Sequence, residues 1–265
     1  MRIAVFLACI ALAFAARAPG ERVSGGNVAP VGSRPYMAAI LYSNYAMDQF
    51  CGGALIHPQW VITSATCAGY SDDVYVGLGY YNLENDGSAD GAVLAHGTWH
   101  KNPSYGNDPF YANDIALIKL DSAVSISGRI GIVNMPADGI TPSDGTSMLV
   151  TGWGLTSTGG NLPSDLSQTV VTVSSLRVCT DRYGTHMDAT LICSDNTDQD
   201  FCQGDDGGPA VTNYDASSSN GAEVIQGIAS RGHGCLTGDV PSLYTRISAH
   251  CSWIDIETDH VVKCK

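Results

Sequence analysis

From position 23 onward the chain is a succession of short β-prone runs, each closed by glycine, proline, asparagine or an Asp-Gly pair, and this punctuation removes most folds from consideration. Runs at 36–42, 60–63, 74–78, 115–119, 147–151, 169–174, 224–229 and 242–246 are rich in β-branched or aromatic residues. Asp90-Gly91, Asp138-Gly139 and Asp144-Gly145 lie between runs as turn signals. Many short strands at this spacing are the pattern of an all-β barrel or sandwich. Long stretches of helical periodicity are absent, so helical bundles and α/β layers are excluded. Only the tail departs: Ile247, Trp253, Ile254 and Ile256 predict one short terminal helix. There is no internal repeat, and 217–221 reads as an exposed loop.

The first residues read as a processing signal. Arg2 precedes an apolar run over 3–16 and then Ala16-Arg17-Ala18, the layout of a secretory signal peptide over 1–18. No later stretch offers 18 uncharged apolar residues, so a soluble, secreted, extracellular protein is expected. Of the 9 cysteines, Cys9 leaves with the signal, and the others read as four disulfides in an oxidising compartment. The 13 basic residues are scattered singly among 26 acidic ones, for a formal net charge of -13. That balance argues against nucleic acid or an anionic membrane as partner and favours a basic protein or an uncharged sugar surface. With Asn102 followed by Pro103, no N-glycosylation acceptor is found.

Seven local motifs occur in order. They are Arg22-Val23-Ser24-Gly25-Gly26, Cys51-Gly52-Gly53-Ala54-Leu55-Ile56, Trp60-Val61-Ile62-Thr63, Asn113-Asp114-Ile115-Ala116-Leu117-Ile118, Thr151-Gly152-Trp153-Gly154, Gly204-Asp205-Asp206-Gly207-Gly208-Pro209 and Pro241-Ser242-Leu243-Tyr244-Thr245. Together they resemble the trypsin/chymotrypsin-type serine protease family across 23–265. The resemblance implies a short pro-segment at 19–22, then two six-stranded antiparallel β-barrels meeting near 135–145, with the active-site cleft between them and a short C-terminal helix outside. It also implies the disulfides Cys51–Cys67, Cys179–Cys193 and Cys202–Cys235. Cys251 and Cys264 are then paired by elimination. No cofactor or metal is expected: Tyr80 stands at the first glutamate of the family's calcium loop, and Glu84, Asp86 and Asp90 read as a solvated acidic loop.

Peptide hydrolysis by such a scaffold needs a hydroxyl nucleophile, an imidazole to take and return its proton, and a buried carboxylate to orient the imidazole. Asp114 matches the carboxylate, but Thr66 occupies the base position and Asp206 the nucleophile position. A threonine hydroxyl is not a useful base near neutrality, and none of His57, His96, His100, His186, His233, His250 and His260 is placed to replace it. Gly204 and Asp206 supply the two backbone N–H groups of the family's oxyanion hole, and a negative side chain there opposes the charge such a site stabilises. The Asp206 carboxylate is expected to bend onto those donors or onto nearby solvent. In the specificity pocket, Asp200 matches the acidic floor that selects Arg and Lys. Phe201 replaces a small residue beside it, Ser242 replaces a wall glycine, and Arg231 stands between Ser230 and Gly232 where tryptophan is usual. An Arg231 ion pair with Asp200 or Asp206 is expected, in a pocket narrowed or filled. Arg22-Val23 resembles the activation site, and Asp205 the buried carboxylate that receives the new α-amino group, although Ser24 is more polar than the family's residue.

The expectation drawn from these departures is that the chain is not an enzyme: a secreted, monomeric, zymogen-like pseudoprotease. It would bind a protein partner (a protease, a protease inhibitor or a glycosidase) as decoy, cofactor or inhibitor in a proteolytic or defence pathway. The alternative is an active secreted serine-type endopeptidase with trypsin-like Arg/Lys preference. An inert structural or storage protein is the third reading.

Overall fold

The computed structural model describes residues 26–85, 91–107, 112–155, 163–184, 187–195, 201–232 and 240–265. Strands β1 (Asn27–Val28), β2 (Met37–Leu41), β3 (Gln49–His57), β4 (Trp60–Thr63), β5 (Val74–Leu78), β6 (Val93–Lys101) and β7 (Ala116–Leu120) precede a connecting stretch over 121–146. Strands β8 (Ser147–Gly152), β9 (Ser167–Ser174), β10 (Leu191–Asp195), β11 (Pro209–Thr212), β12 (Val224–Arg231) and β13 (Ser242–Arg246) follow it. Six of the first set close a barrel in the order β2-β3-β4-β7-β6-β5. In the second sheet, β1-β9-β10-β13-β12-β11-β8, an additional β8–β9 pairing closes a second six-stranded ring, with β1 appended to β9. Every one of these pairings is antiparallel. The fold is therefore two six-stranded antiparallel β-barrels with a short C-terminal helix.

Side-chain alternation explains why both faces of a strand can be apolar here. All five residues of β2 are buried. Ala38 and Ile40 join a cluster of first-barrel residues that includes Leu55, Val61, Val76 and Ile118. Met37, Ala39 and Leu41 turn the other way, into a cluster shared with Leu149, Val211 and Ile225 of the second barrel. The second barrel has its own core of Met148, Val150, Val171, Ile192 and Tyr244. Burying apolar area on two faces at ~25 cal/mol per Å² makes the contact between barrels part of the core.

Two helices flank the strands. α1 (Leu176–Tyr183) has Cys179 as its buried residue and exposed Arg177 and Asp181. Its apolar signal is too sparse to be read from sequence, and the Cys179–Cys193 disulfide ties it to β10. α2 (Cys251–Glu257) follows a 3-10 turn at Ile247–Ala249. Ile247 and Ile254 face inward, but Ile256 is 67% exposed, so the terminal apolar stripe is narrower than the sequence spacing suggests. The tail is held by the Cys251–Cys264 disulfide, and by Thr258, whose Oγ1 donates to the Ile254 carbonyl and accepts from the Val262 N–H. A Cys51–Cys67 disulfide joins β3 to the turn after β4. Cys202 is disulfide-bonded as well, while Cys235 lies outside the described residues. Among the described residues no helix is long and apolar enough to cross a membrane.

Candidate active site

The Asp114 carboxylate is buried, 1% exposed. It follows Asn113, whose backbone is left-handed at φ 62°, a conformation asparagine tolerates better than most residues, and the chain then enters β7. Asp114 Oδ1 accepts the Thr66 N–H at 2.7 Å. Its Oδ2 accepts the Thr66 hydroxyl at 2.9 Å and the Ser230 hydroxyl at 2.7 Å. Because the Thr66 hydroxyl donates its single proton to Asp114, the Tyr105 phenol, 2.8 Å from Thr66 Oγ1, is the donor in that contact. Burial nevertheless holds the Asp114 carboxyl above the usual range, outweighing these bonds. Tyr105 was not singled out by sequence reasoning. Its only signal is its place on the loop that runs into Asp114.

The turn from Cys202 to Gly208 carries the other groups. Asp205 is 1% exposed; its Oδ1 accepts the Gly154 N–H at 2.8 Å and its Oδ2 the Cys202 N–H at 3.0 Å. Burial, only partly offset by those bonds, pushes Asp205 up to about 6. Asp206 is half-buried, and its carbonyl accepts the Gly52 N–H at 2.8 Å, while Gln49 Nε2 donates to the Gly204 carbonyl at 2.7 Å. The turn is thus pinned to β3 of the first barrel. Gly207 is required here: its φ is +80°, and a Cβ would lie 2.1 Å from Thr63 Oγ1 and 2.6 Å from the Gly52 carbonyl.

Among the described residues, neither the Gly204 N–H nor the Asp206 N–H is taken by an acceptor, and nothing donates a hydrogen bond to the Asp206 carboxylate. Of the two directions expected for that carboxylate, the donors or nearby solvent, it does not take the first. Burial first, then the neighbouring Asp205 and Asp114 carboxyls, push Asp206 up to about 7, with Arg231 opposing. A carboxyl raised in the folded state costs stability wherever the unfolded chain would ionise it, so stability falls as pH rises from the ordinary carboxyl range near 4 to the folded value near 7. Asp206→Asn is expected to raise the thermal midpoint at pH 8, by an amount corresponding to up to about 4 kcal/mol, and to leave it nearly unchanged at about pH 3, where the carboxyl is protonated in both states. Melting curves of both proteins across that range check it; a parallel shift at both pH values would show a different cause.

A cavity of about 110 Å³ adjoins the turn, lined by Phe201, Cys202, Gln203, Asp206 and Gly232. Phe201 is 3% exposed and packs its ring on Tyr244, centroids 5.3 Å apart, in the second-barrel core. Ser230 and Ser242 do not line the cavity: Ser230 is committed to Asp114, and Ser242 is buried in β13 opposite Ser194. Arg231 ends β12 with its side chain exposed and acts on Asp206 through its charge, without a salt bridge to it. Asp200, Arg22, Val23, Asp86 and Asp90 lie outside the described residues. Among the described residues no group of three His, Cys, Asp or Glu is arranged to hold a metal ion.

The chain matches the family model described as Trypsin over residues 23–254. It is 34% identical to Trypsin II-P29 of Gallus gallus over 94% of this chain and 95% of the relative. It is 33% identical to Cationic trypsin-3 of Rattus norvegicus, over 96% and 97%, and 33% to Kallikrein-4 of Homo sapiens, over 88% and 85%. These relatives overturn the expectation that the chain is not an enzyme, and with it the description as a zymogen-like pseudoprotease: identities of 31 to 35% extend over most of the chain to proteins named as trypsins, a serine protease and a kallikrein. Thr66 and Asp206 set the local chemistry of this cleft, whereas the family is set by both barrels, the Asp114 site and the alignment from end to end. The chain belongs to the trypsin family of serine proteases.

Proposed function

We propose that the chain is a secreted endopeptidase that cleaves after Arg or Lys, at a turnover far below that of a hydroxyl–imidazole pair. Its partner is then a polypeptide substrate lying across the cleft. The observation that carries this reading is the pair of backbone N–H groups, Gly204 and Asp206, taken by no acceptor among the described residues beside a cavity of about 110 Å³. Backbone donors held in a rigid turn stabilise a carbonyl oxygen as it becomes negative, and they do so without a triad. In a serine protease whose triad was removed, binding and the oxyanion hole alone left about 10³ to 10⁴-fold over water. Relatives named as trypsins support a secreted role, and Asp200 together with Asp206 supports the basic preference.

The test is incubation of the purified secreted chain with peptides carrying one Arg, one Lys or one Leu, followed by mass spectrometry of the new C-termini. Slow cleavage after Arg and Lys, with no fluorophosphonate labelling of residue 206, is expected. Peptides left intact beyond the blank, or cut without regard to Arg and Lys, would overturn the reading.

A further inference from the structure

Among the described residues three disulfides have both halves in place, and two of them are sealed in the interior. Cys51, Cys67, Cys179 and Cys193 are each 0 to 1% exposed. The third is placed differently. Cys251 is 6% exposed, Cys264 is half-buried, and both line a cavity of about 190 Å³. Asp138, Ser252, Asp255 and Lys263 complete its lining, and because Asp138, Ser252 and Lys263 are exposed the cavity reaches the surface. Thiol–disulfide exchange requires a thiolate to reach a sulfur, so access separates this bridge from the other two. The two carboxylates of the lining outnumber its one ammonium, Lys263 Nζ, which lies 3.9 Å from Asp255 Oδ1. An anionic thiol therefore meets a net negative wall, and a neutral or cationic one does not. The bridge also fastens a strap. Lys265 donates its N–H to the Pro136 carbonyl at 3.0 Å and its Nζ to Asn134 Oδ1 at 3.0 Å. Asn134, in the stretch between the barrels, donates its N–H to the Glu223 carbonyl and accepts the Ile225 N–H on its own carbonyl. The other anchors of the tail, Val262 in the core and the Thr258 bonds, involve no sulfur. Opening the bridge thus loosens the last residues over the connecting stretch without dismantling a barrel.

We propose that Cys251–Cys264 is a redox modification site, opened in the folded protein by an uncharged or cationic dithiol that enters through this cavity. One thiolate of the dithiol attacks Cys264 Sγ; the S–S bond breaks, and Cys251 leaves as a thiolate that takes a proton from water. The second thiol of the dithiol loses its proton and attacks the mixed disulfide, releasing Cys264, which is protonated in turn. The protein gains two electrons and two protons, and the dithiol departs as a cyclic disulfide. Reoxidation reverses the sequence and refastens the strap.

Timed treatment of the full secreted chain with dithiothreitol at about pH 8, trapped with iodoacetamide and mapped by peptide mass spectrometry, reads which bridge opens. Cys251 and Cys264 are expected to be alkylated at least about 10-fold faster than Cys51, Cys67, Cys179 or Cys193, with the far-UV circular dichroism unchanged. At equal thiolate concentration and low salt, cationic 2-mercaptoethylamine should open the bridge at least about 3-fold faster than anionic 2-mercaptoethanesulfonate, a gap that narrows in Asp138→Asn. In the double variant Cys251→Ser, Cys264→Ser, amide exchange at Val262 and Lys265 should quicken by at least about 10-fold while the β2 amides keep their protection. Alkylation of all three bridges together, or loss of the circular dichroism before Cys264 is labelled, would overturn the proposal. Equal rates with the two thiols, or tail amides that exchange no faster in the double variant, would overturn it too.

Discussion

Replacing Thr66 by histidine and Asp206 by serine in the same molecule should raise kcat/KM on Arg and Lys peptides by at least about 10³-fold, since triad members act as a unit and their removal costs about 10⁶. Asp114, which matches the third member by sequence, is already buried and hydrogen-bonded to position 66. Asp114 is buried, points one oxygen at the Thr66 N–H and the other at the Thr66 side chain, and is steadied by Ser230. An imidazole at 66 would find its carboxylate partner waiting, provided it displaces the Tyr105 phenol from its contact with position 66. A serine at 206 would share its turn with the Gly204 N–H while removing the opposing charge. Either substitution alone should give less than about 10-fold, because a base without a nucleophile, or the reverse, completes no proton transfer. Steady-state kinetics on the four proteins checks this. A double variant no faster than the singles would show that the spacing of the two barrels, or the Phe201-bounded cavity, is the limiting defect.

The largest loss of stability is expected from a single methyl group at Gly152. A Cβ there would stand 1.9 Å from Asp205 Oδ1 and 2.9 Å from its Cγ, far inside contact distance. Asp205 cannot retreat, since it is 1% exposed and both oxygens are held by the Gly154 and Cys202 N–H groups. Relieving the clash therefore breaks bonds to a buried carboxyl, and Gly152→Ala should cost about 4 kcal/mol or more. Gly69→Ala is the control: nothing lies within 4 Å of its added Cβ, and the change should stay within about 0.5 kcal/mol. Chemical denaturation of both variants measures the difference. A loss at Gly152 no larger than that at Gly69 would mean that Asp205 has room the structure does not show.

The strands were legible because their signals are local. The runs at 60–63, 74–78 and 242–246 coincide with β4, β5 and β13, each bounded by turn residues and rich in β-branched or aromatic side chains. α1 was not legible: a polar eight-residue helix held by a disulfide and a few apolar contacts has almost no periodicity to read. The site divides in the same way. Asp114 sits in a recognisable local motif, whereas Tyr105 comes into contact with Thr66 only when the loop before β7 folds over the turn after β4. The N–H groups of Gly204 and Asp206, unclaimed among the described residues, were named only through the family resemblance, because backbone geometry rather than residue identity sets them. The inference from Thr66 and Asp206 to a non-enzyme treated two positions as decisive for the whole chain. The alignment weighs every position, and it places the chain among proteases.

Asp114 also has a mechanical consequence. It belongs to the segment leading into β7 of the first barrel, yet Ser230 of β12 donates to its side chain and Thr245 of β13 donates to its backbone carbonyl, at 2.7 and 2.8 Å. The two barrels therefore share one buried joint through a single residue, reinforced by the Gly52 and Gln49 bonds to the Cys202–Gly208 turn. Neither barrel can loosen without stripping partners from a carboxyl that burial already disfavours, so the halves are bound to melt as one cooperative body.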